Sequence, residues 1–415
     1  MHGRNPLLSS LPGAGASGSL ELDPARQPII IAARRTPVCR ANGQFKALRA
    51  EDLLAPVLRA LLDDARVADS DVVDVVIGNA VGGGGNLARY AALQAGLPVD
   101  IPGLTVDRQC GSGLDAIALA SRLVAAGGNG IYLAGGVESI STAPLRARRN
   151  PDPDGGPHFY SRASFVPPEF GDPDMGVAAE NVAREYGISR ERQDEFALRS
   201  HNRAVAARGA GTFVPEIVPL GAGTSIVRED DGPRASLTPR LMARFPAAFV
   251  QDGTVTAANS CFDADAASAV VITSLQRARE LGAEDGLLVL GCDTAGVRPE
   301  LLGIGASVAA KRLLAGSGLG AADLDLIEFN EAFAAQAIAC LDALGVDSER
   351  ANLDGGALAL GHGYGASGAV LVTRLLAQAR RIAEGQPGIV ATALAMISIA
   401  GGMGTAALFR YSRLQ

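Results

Sequence analysis

Val106-Asp107-Arg108-Gln109-Cys110-Gly111-Ser112-Gly113-Leu114 joins an apolar, strand-like run to a segment over 114–124 that reads as a helix. The same alternation extends outward. Apolar runs at 28–33, 72–77 and 130–134 read as strands. Over 50–65, Leu53, Leu54, Val57, Leu58, Leu61 and Leu62 recur at helical spacing. Strands alternating with helices predict an α/β fold with largely parallel pairing.

The second half of the chain echoes the first. Leu61-Leu62, an acidic turn, the strand at 72–77 and Asn79 are matched by Leu313-Leu314, Asp323, the run 324–329 and Asn330. Ser112-Gly113 before a helix is matched by Ser367-Gly368, and Gly130-Ile131 at a strand start by Gly388-Ile389. Three landmarks in one order predict an internal duplication. Residues 147–242 differ: they are rich in Pro, Asp, Arg and Glu, with helical segments at 175–186 and 190–208. They read as a long insertion over one face, the kind of segment that carries binding function. Residues 1–27 read as a flexible extension without a compact signal pattern. The expected division is 28–146 plus 243–292, the insertion 147–242, and 293–415.

With 37 Lys and Arg against 44 Asp and Glu, the net charge of −7 argues against a nucleic-acid binder. No apolar run reaches membrane-spanning length. The five cysteines, Cys39, Cys110, Cys261, Cys292 and Cys340, lack CxxC spacing, so neither a disulfide framework nor a metal site is expected, and a reducing cytoplasm fits.

Cys110 precedes a helix, where free N–H groups and the helix dipole favour thiolate over thiol and can receive an oxyanion. The alternative is an inert packed cysteine. His362, one of four histidines, lies in Gly355-Gly356-Ala357-Leu358-Ala359-Leu360-Gly361-His362-Gly363-Tyr364-Gly365. It reads equally as a base or oxyanion donor and as a structural histidine. Asn330, in Asn330-Glu331-Ala332-Phe333-Ala334, stands at a strand end where α/β proteins place their sites, or caps the next helix.

These motifs occur in the order found in thiolases. So do Gly135-Gly136-Val137-Glu138-Ser139, Met175-Gly176, Asp252-Gly253-Thr254-Val255 and Gly401-Gly402-Met403-Gly404. The chain from about residue 28 resembles the acetyl-CoA acetyltransferases and 3-ketoacyl-CoA thiolases. That resemblance implies a duplicated five-layered αβαβα core with an inserted loop domain that binds coenzyme A. It implies Claisen chemistry on β-ketoacyl-CoA, with a coenzyme A thioester as substrate, no permanently bound cofactor or metal, and a homodimer or homotetramer. Carried over, Cys110 is the acylated nucleophile, and His362 activates it and lines one oxyanion hole. Asn330 holds a water that completes that hole, and the N–H groups of Cys110 and Ala400 form a second. Arg234 matches a contact to the adenine end of the cofactor, with a solvated surface charge as the alternative. Met175 matches a residue beside the pantetheine, with core packing as the alternative.

The chain also departs from that pattern. Ser398 stands where thiolases carry a second cysteine that moves the α-proton, and a serine hydroxyl is far less acidic than a thiol. Ala400 replaces a usual Gly. Cys261-Phe262 replaces a Ser-Gly pair lining the pantetheine tunnel, Asp174 replaces a pocket His, and Gly363 a Pro. Acylation of Cys110 is therefore expected, and the acceptor is open. One reading is C–C bond formation or cleavage with a rewired base or a decarboxylating donor. A second is acyl transfer to an amine, alcohol or water, and a third is acyl-CoA binding without catalysis.

Overall fold

The computed structural model describes residues 22–223, 225–386 and 388–414. The expected N-terminal extension lies outside the described residues up to Glu21. Its last six residues are not a loose tail: Gln27 is buried, and its amide donates to the Val289 carbonyl at 3.0 Å.

Nine strands build the core: β1 (Pro28–Arg35), β2 (Val72–Gly78), β3 (Gly103–Val106), β4 (Ile131–Glu138), β5 (Ala264–Ser274), β6 (Asp285–Gly296), β7 (Leu326–Phe329), β8 (Ala391–Ile399) and β9 (Met403–Arg413). The helices that position the site are α1 (Ala50–Ala65), α2 (Leu87–Gln94), α3 (Ser112–Ala125), α4 (Met175–Glu185), α5 (Arg190–Gly209), α6 (Gly305–Ser317), α7 (Ala334–Leu344) and α8 (Tyr364–Gly385). The strands run in the order β7-β8-β9-β6-β1-β5-β4-β2-β3, and the two-residue strand Cys39–Arg40 pairs with the start of β5.

The duplication is visible in the pairing. In the first half, β1–β5 and β5–β4 are antiparallel, and β4–β2 and β2–β3 are parallel. In the second, β6–β9 and β9–β8 are antiparallel and β8–β7 is parallel. A single parallel bridge, Ile327 to Ala351, stands where a fifth strand would lie. The halves touch edge to edge only at Ile29–Leu288 and Ile30–Leu287. The expectation of largely parallel pairing is corrected, because most core pairs are antiparallel. The cause is local: β8 and β9 are joined by the three residues 400–402, and so short a link permits only an antiparallel return. The strand expected at Gly388-Ile389 begins at Ala391.

Five layers result. Helices α1 and α2 cover one sheet through Leu53, Leu58, Leu61 and Val75. Helices α3 and α8 fill the space between the sheets through Leu114, Ile117, Val372 and Leu375, and α6 and α7 cover the other sheet. The middle helices cross closely because the contact is glycine: a Cβ on Gly113 would sit 2.5 Å from the Gly365 carbonyl oxygen, and one on Gly136 1.9 Å from it. This close approach brings the end of β3 and the start of α8, and with them Cys110 and His362, to the same end of the core.

Residues of the 147–242 insertion are fastened to that core by buried charge. Arg35 on β1 pairs with Glu216 at 2.7 Å and Asp230 at 2.6 Å, and Arg374 on α8 pairs with Glu216 and Asp354. In α5, Ser200 donates to Glu331 Oε2 at 2.6 Å.

Candidate active site

Cys110 lies on a tight turn between β3 and α3. Gln109, just before it, has φ 48°, a left-handed conformation that non-glycine residues rarely adopt. Ser112 braces the turn by accepting from Arg108 N at 2.8 Å and donating to the Gln109 carbonyl at 2.6 Å. The Cys110 sulfur faces two backbone N–H groups, that of Ala400 and its own, and both favour the thiolate. Burial outweighs them and pushes the thiol up to about 12, helped by the negative charges of Glu138 and Asp263. The expected preference for thiolate at the helix start is thereby corrected: the resting group is a thiol, and its proton must be moved during reaction.

Ala400 is placed by the turn that follows β8. Gly401 and Gly402 both take positive φ, and a Cβ on Gly402 would meet the Val297 carbonyl at 2.5 Å. The turn therefore closes only with glycine, and it points the Ala400 N–H at the sulfur.

His362 is buried. Its Nδ1 lies 2.6 Å from Ser367 Oγ, one turn into α8, and its Nε2 has no partner among the described residues. Burial pushes its pKa down to about 4, so the ring is neutral near pH 7. Asn330 follows β7, is also buried, and has an Nδ2 that likewise lacks a partner. It does not cap the next helix, which begins at Ala334 with Phe333 at the cap position.

Cys261-Phe262 staples these two loops together. Cys261 N donates to the Ala332 carbonyl at 2.9 Å, and His362 N donates to the Phe262 carbonyl at 2.9 Å. Burial raises the Cys261 thiol, and the negative charge of Asp263 raises it further. The Phe262 ring is wedged beside Gly232 and Gly361, where an added Cβ would come within 2.4 and 2.6 Å of it, and the Arg40 guanidinium stacks on it at 3.9 Å. Phe262 thus seals the seam between the insertion and the His362 loop.

Ser398 sits where the structure gives it no acid–base partner. It donates to the Gly303 carbonyl at 2.6 Å and accepts from Ala306 N at 3.2 Å and Gln336 Nε2 at 3.3 Å. Among the described residues neither a histidine nor a carboxylate hydrogen-bonds to it, and the Cys340 thiol is its neighbour. These contacts supply no base for the proton-transfer role expected of Ser398.

Met175 is the half-buried first residue of α4. Next to it, Gly176 lies under the Phe249 ring, which in turn meets Phe333 edge-on at 5.9 Å. Asp174 turns outward to Arg162 at 3.0 Å. Arg234 is exposed, and its N–H donates to His201 Nδ1 at 3.3 Å.

Sequence reading missed three groups here. Ser367, a repeat landmark in the sequence, orients His362. Glu138 is buried beside Cys110 and accepts from Ala80 N, Val81 N, Gly365 N and Asn79 Nδ2, tying β4, the end of β2 and the start of α8 together. Its burial raises its pKa to about 7. The third group is Tyr364, whose hydroxyl donates to Asp263 Oδ1 at 2.7 Å. A polar residue five positions past His362 and a tyrosine two past it were the available signals.

Comparison with known proteins agrees with this architecture. Residues 28–276 match the thiolase N-terminal domain and 287–411 the thiolase C-terminal domain. Among similar sequences is the "Putative acetyl-CoA C-acetyltransferase VraB" of Staphylococcus aureus (strain MRSA252), 43% identical over 385 residues, covering 92% of this chain and 99% of the relative. The protein of the same description from Staphylococcus epidermidis is 42% identical over 386 residues, covering 92% and 98%. Among solved structures, the Bacillus anthracis acetyl-CoA acetyltransferase superposes with a TM-score of 0.84 at 31% identity, covering 94% of this chain and 99% of that one. Matches to both domain families, together spanning nearly all the described residues, establish that the chain belongs to the thiolase family of acyltransferases.

Proposed function

We propose that this acyltransferase takes an acyl group from a coenzyme A thioester onto Cys110 and passes it on by Claisen-type formation or cleavage of a C–C bond. The observation that carries the reading is that His362 Nε2 and Asn330 Nδ2, on the two loops that Cys261-Phe262 joins, are buried without a partner among the described residues. A buried polar group without a partner costs roughly 1–3 kcal/mol, so a folded protein keeps two of them together where a ligand oxygen will supply the bonds.

Acylation follows from the same geometry. The Cys110 proton moves to His362 Nε2 as the sulfur attacks the thioester carbonyl. The developing oxyanion is received by the N–H groups of Cys110 and Ala400, which already face the sulfur. The leaving coenzyme A sulfur takes the proton back from His362. Ser367 suits His362 to two roles. As an acceptor from Nδ1–H it leaves Nε2 a base, and as a donor to Nδ1 it leaves Nε2–H an oxyanion donor. In this reading residues 147–242, with Met175 and Arg234, form the coenzyme A-binding domain between the halves 28–146 plus 243–292 and 293–415. Cys261 and Phe262 border the acyl end, and the protein works as a cytoplasmic homodimer or homotetramer.

The test is to incubate the protein with a panel of acyl-CoAs and record intact and peptide mass spectra, with C110A as control. An acyl mass on Cys110 with release of free coenzyme A supports the reading. Binding of acyl-CoA without any adduct overturns it in favour of a non-catalytic role.

A further inference from the structure

Beside His362 lies an acid–base pair that acylation does not use. Tyr364 Oη donates to Asp263 Oδ1 at 2.7 Å. The phenol ring meets the His362 imidazole edge-on with centroids 5.3 Å apart, and Asp263 and His362 are bridged through their backbones. Burial raises the phenol's pKa, and the Asp263 carboxylate beside it raises it further.

Three groups near Cys110 contend for the proton that carbanion chemistry must move. Ser398 donates to the Gly303 carbonyl and has neither a histidine nor a carboxylate among its hydrogen bonds in the described residues. The Cys261 sulfur has no side-chain hydrogen bond to a base among the described residues, and burial holds it as a thiol. Tyr364 alone has a proton already aimed at a carboxylate.

Resting on the acyl-transfer reading above, we propose that Tyr364, backed by Asp263, is the catalytic residue that removes the α-proton of the second acyl-CoA in place of a second thiol. As the substrate Cα–H bond breaks, its proton bonds to Tyr364 Oη while the Tyr364 proton passes to Asp263 Oδ1. The C–H electron pair becomes the enolate, whose oxygen is received by His362 Nε2–H and Asn330 Nδ2. The enolate carbon attacks the acyl carbon on Cys110, the C–S bond electrons return to the sulfur, and the Cys110 thiolate takes a proton from solvent, matching the one that Asp263 gives up. Tyr364 begins and ends as a phenol, so no phenolate forms beside the carboxylate. Asp263 ends as the neutral acid and, being exposed, returns its proton to solvent. Cleavage runs the same transfers in reverse.

The test uses the full chain with acetyl-CoA and hexanoyl-CoA in D2O, reading Cys110 acylation and deuterium at the substrate α-carbon by mass spectrometry. Wild type is expected to do both. Y364F and D263N are expected to lose exchange at least about thirtyfold more than they lose acylation, and D263E to restore part of it. A merely structural role would lower the two readouts together and would overturn the proposal. So would exchange that survives in Y364F, exchange lost in C261A but not in Y364F, or a wild type that acylates without exchanging. Should Y364F fail to fold, D263N carries the same comparison. A wild type that never acylates removes the acyl-transfer reading and this inference together. Acylation without Tyr364-dependent exchange removes this inference alone.

Discussion

Ser367 Oγ lies 2.6 Å from His362 Nδ1, and among the described residues this is the one side-chain hydrogen bond that fixes the imidazole. Both residues are buried, five positions apart across the start of α8. S367A is expected to slow Cys110 acylation roughly 10- to 100-fold, because the ring loses its orientation and its tautomer control. It should also destabilise the fold by about 1–3 kcal/mol, because Nδ1 loses its buried partner. Single-turnover acylation followed by mass spectrometry, with a urea melt alongside, checks both. An unchanged acylation rate would remove Ser367 from the mechanism.

The Cys110 thiol, held up to about 12 by burial, is expected to react slowly with iodoacetamide at neutral pH. Its labelling rate should climb roughly tenfold per pH unit from pH 8 to 10, where an ordinary cysteine of pKa about 8.5 levels off. Peptide-resolved labelling across that range decides it, and a plateau below pH 9 would contradict the burial argument.

Arg374 links α8 to Glu216 and Asp354 with all three side chains buried or nearly so. R374M takes one of two cations from each carboxylate, since Arg35 still pairs with Glu216 and Arg381 with Asp354, and is expected to cost about 1–3 kcal/mol. Equilibrium denaturation measures the loss, and a cost below about 1 kcal/mol would mean that water reaches the network.

Acid sensitivity follows from His362. Its folded pKa, about 4, lies below its unfolded value, so the stability it contributes is present above about pH 6.5 and is lost as pH falls through 4. For a shift of this size the contribution is about 3 kcal/mol. Wild type and H362Q melts between pH 7 and pH 4 should converge as the pH drops. Parallel curves would show that His362 does not titrate on unfolding.

The sequence by itself determined the alternation of elements, the duplication and the identity of the reactive groups. Apolar spacing places α1 at the bounds expected, and the cysteine, asparagine and histidine motifs carry their chemistry in their residue types. These are local properties, set by period and by side-chain functional groups. Tertiary structure decided strand direction, because the short link at 400–402 and the return of β5 impose antiparallel pairing that no single strand encodes. It also decided the protonation of Cys110: two N–H groups favour the thiolate, and only the packing around the sulfur reveals that burial prevails. Ser398 and Gly303, 95 residues apart in the chain, are likewise brought into hydrogen bonding only through space. Tyr364 and Asp263 are 101 residues apart and meet because α8 crosses the core beside β5. Distances of that kind are fixed by packing of the whole core, and they determine which of the chemically competent residues can act.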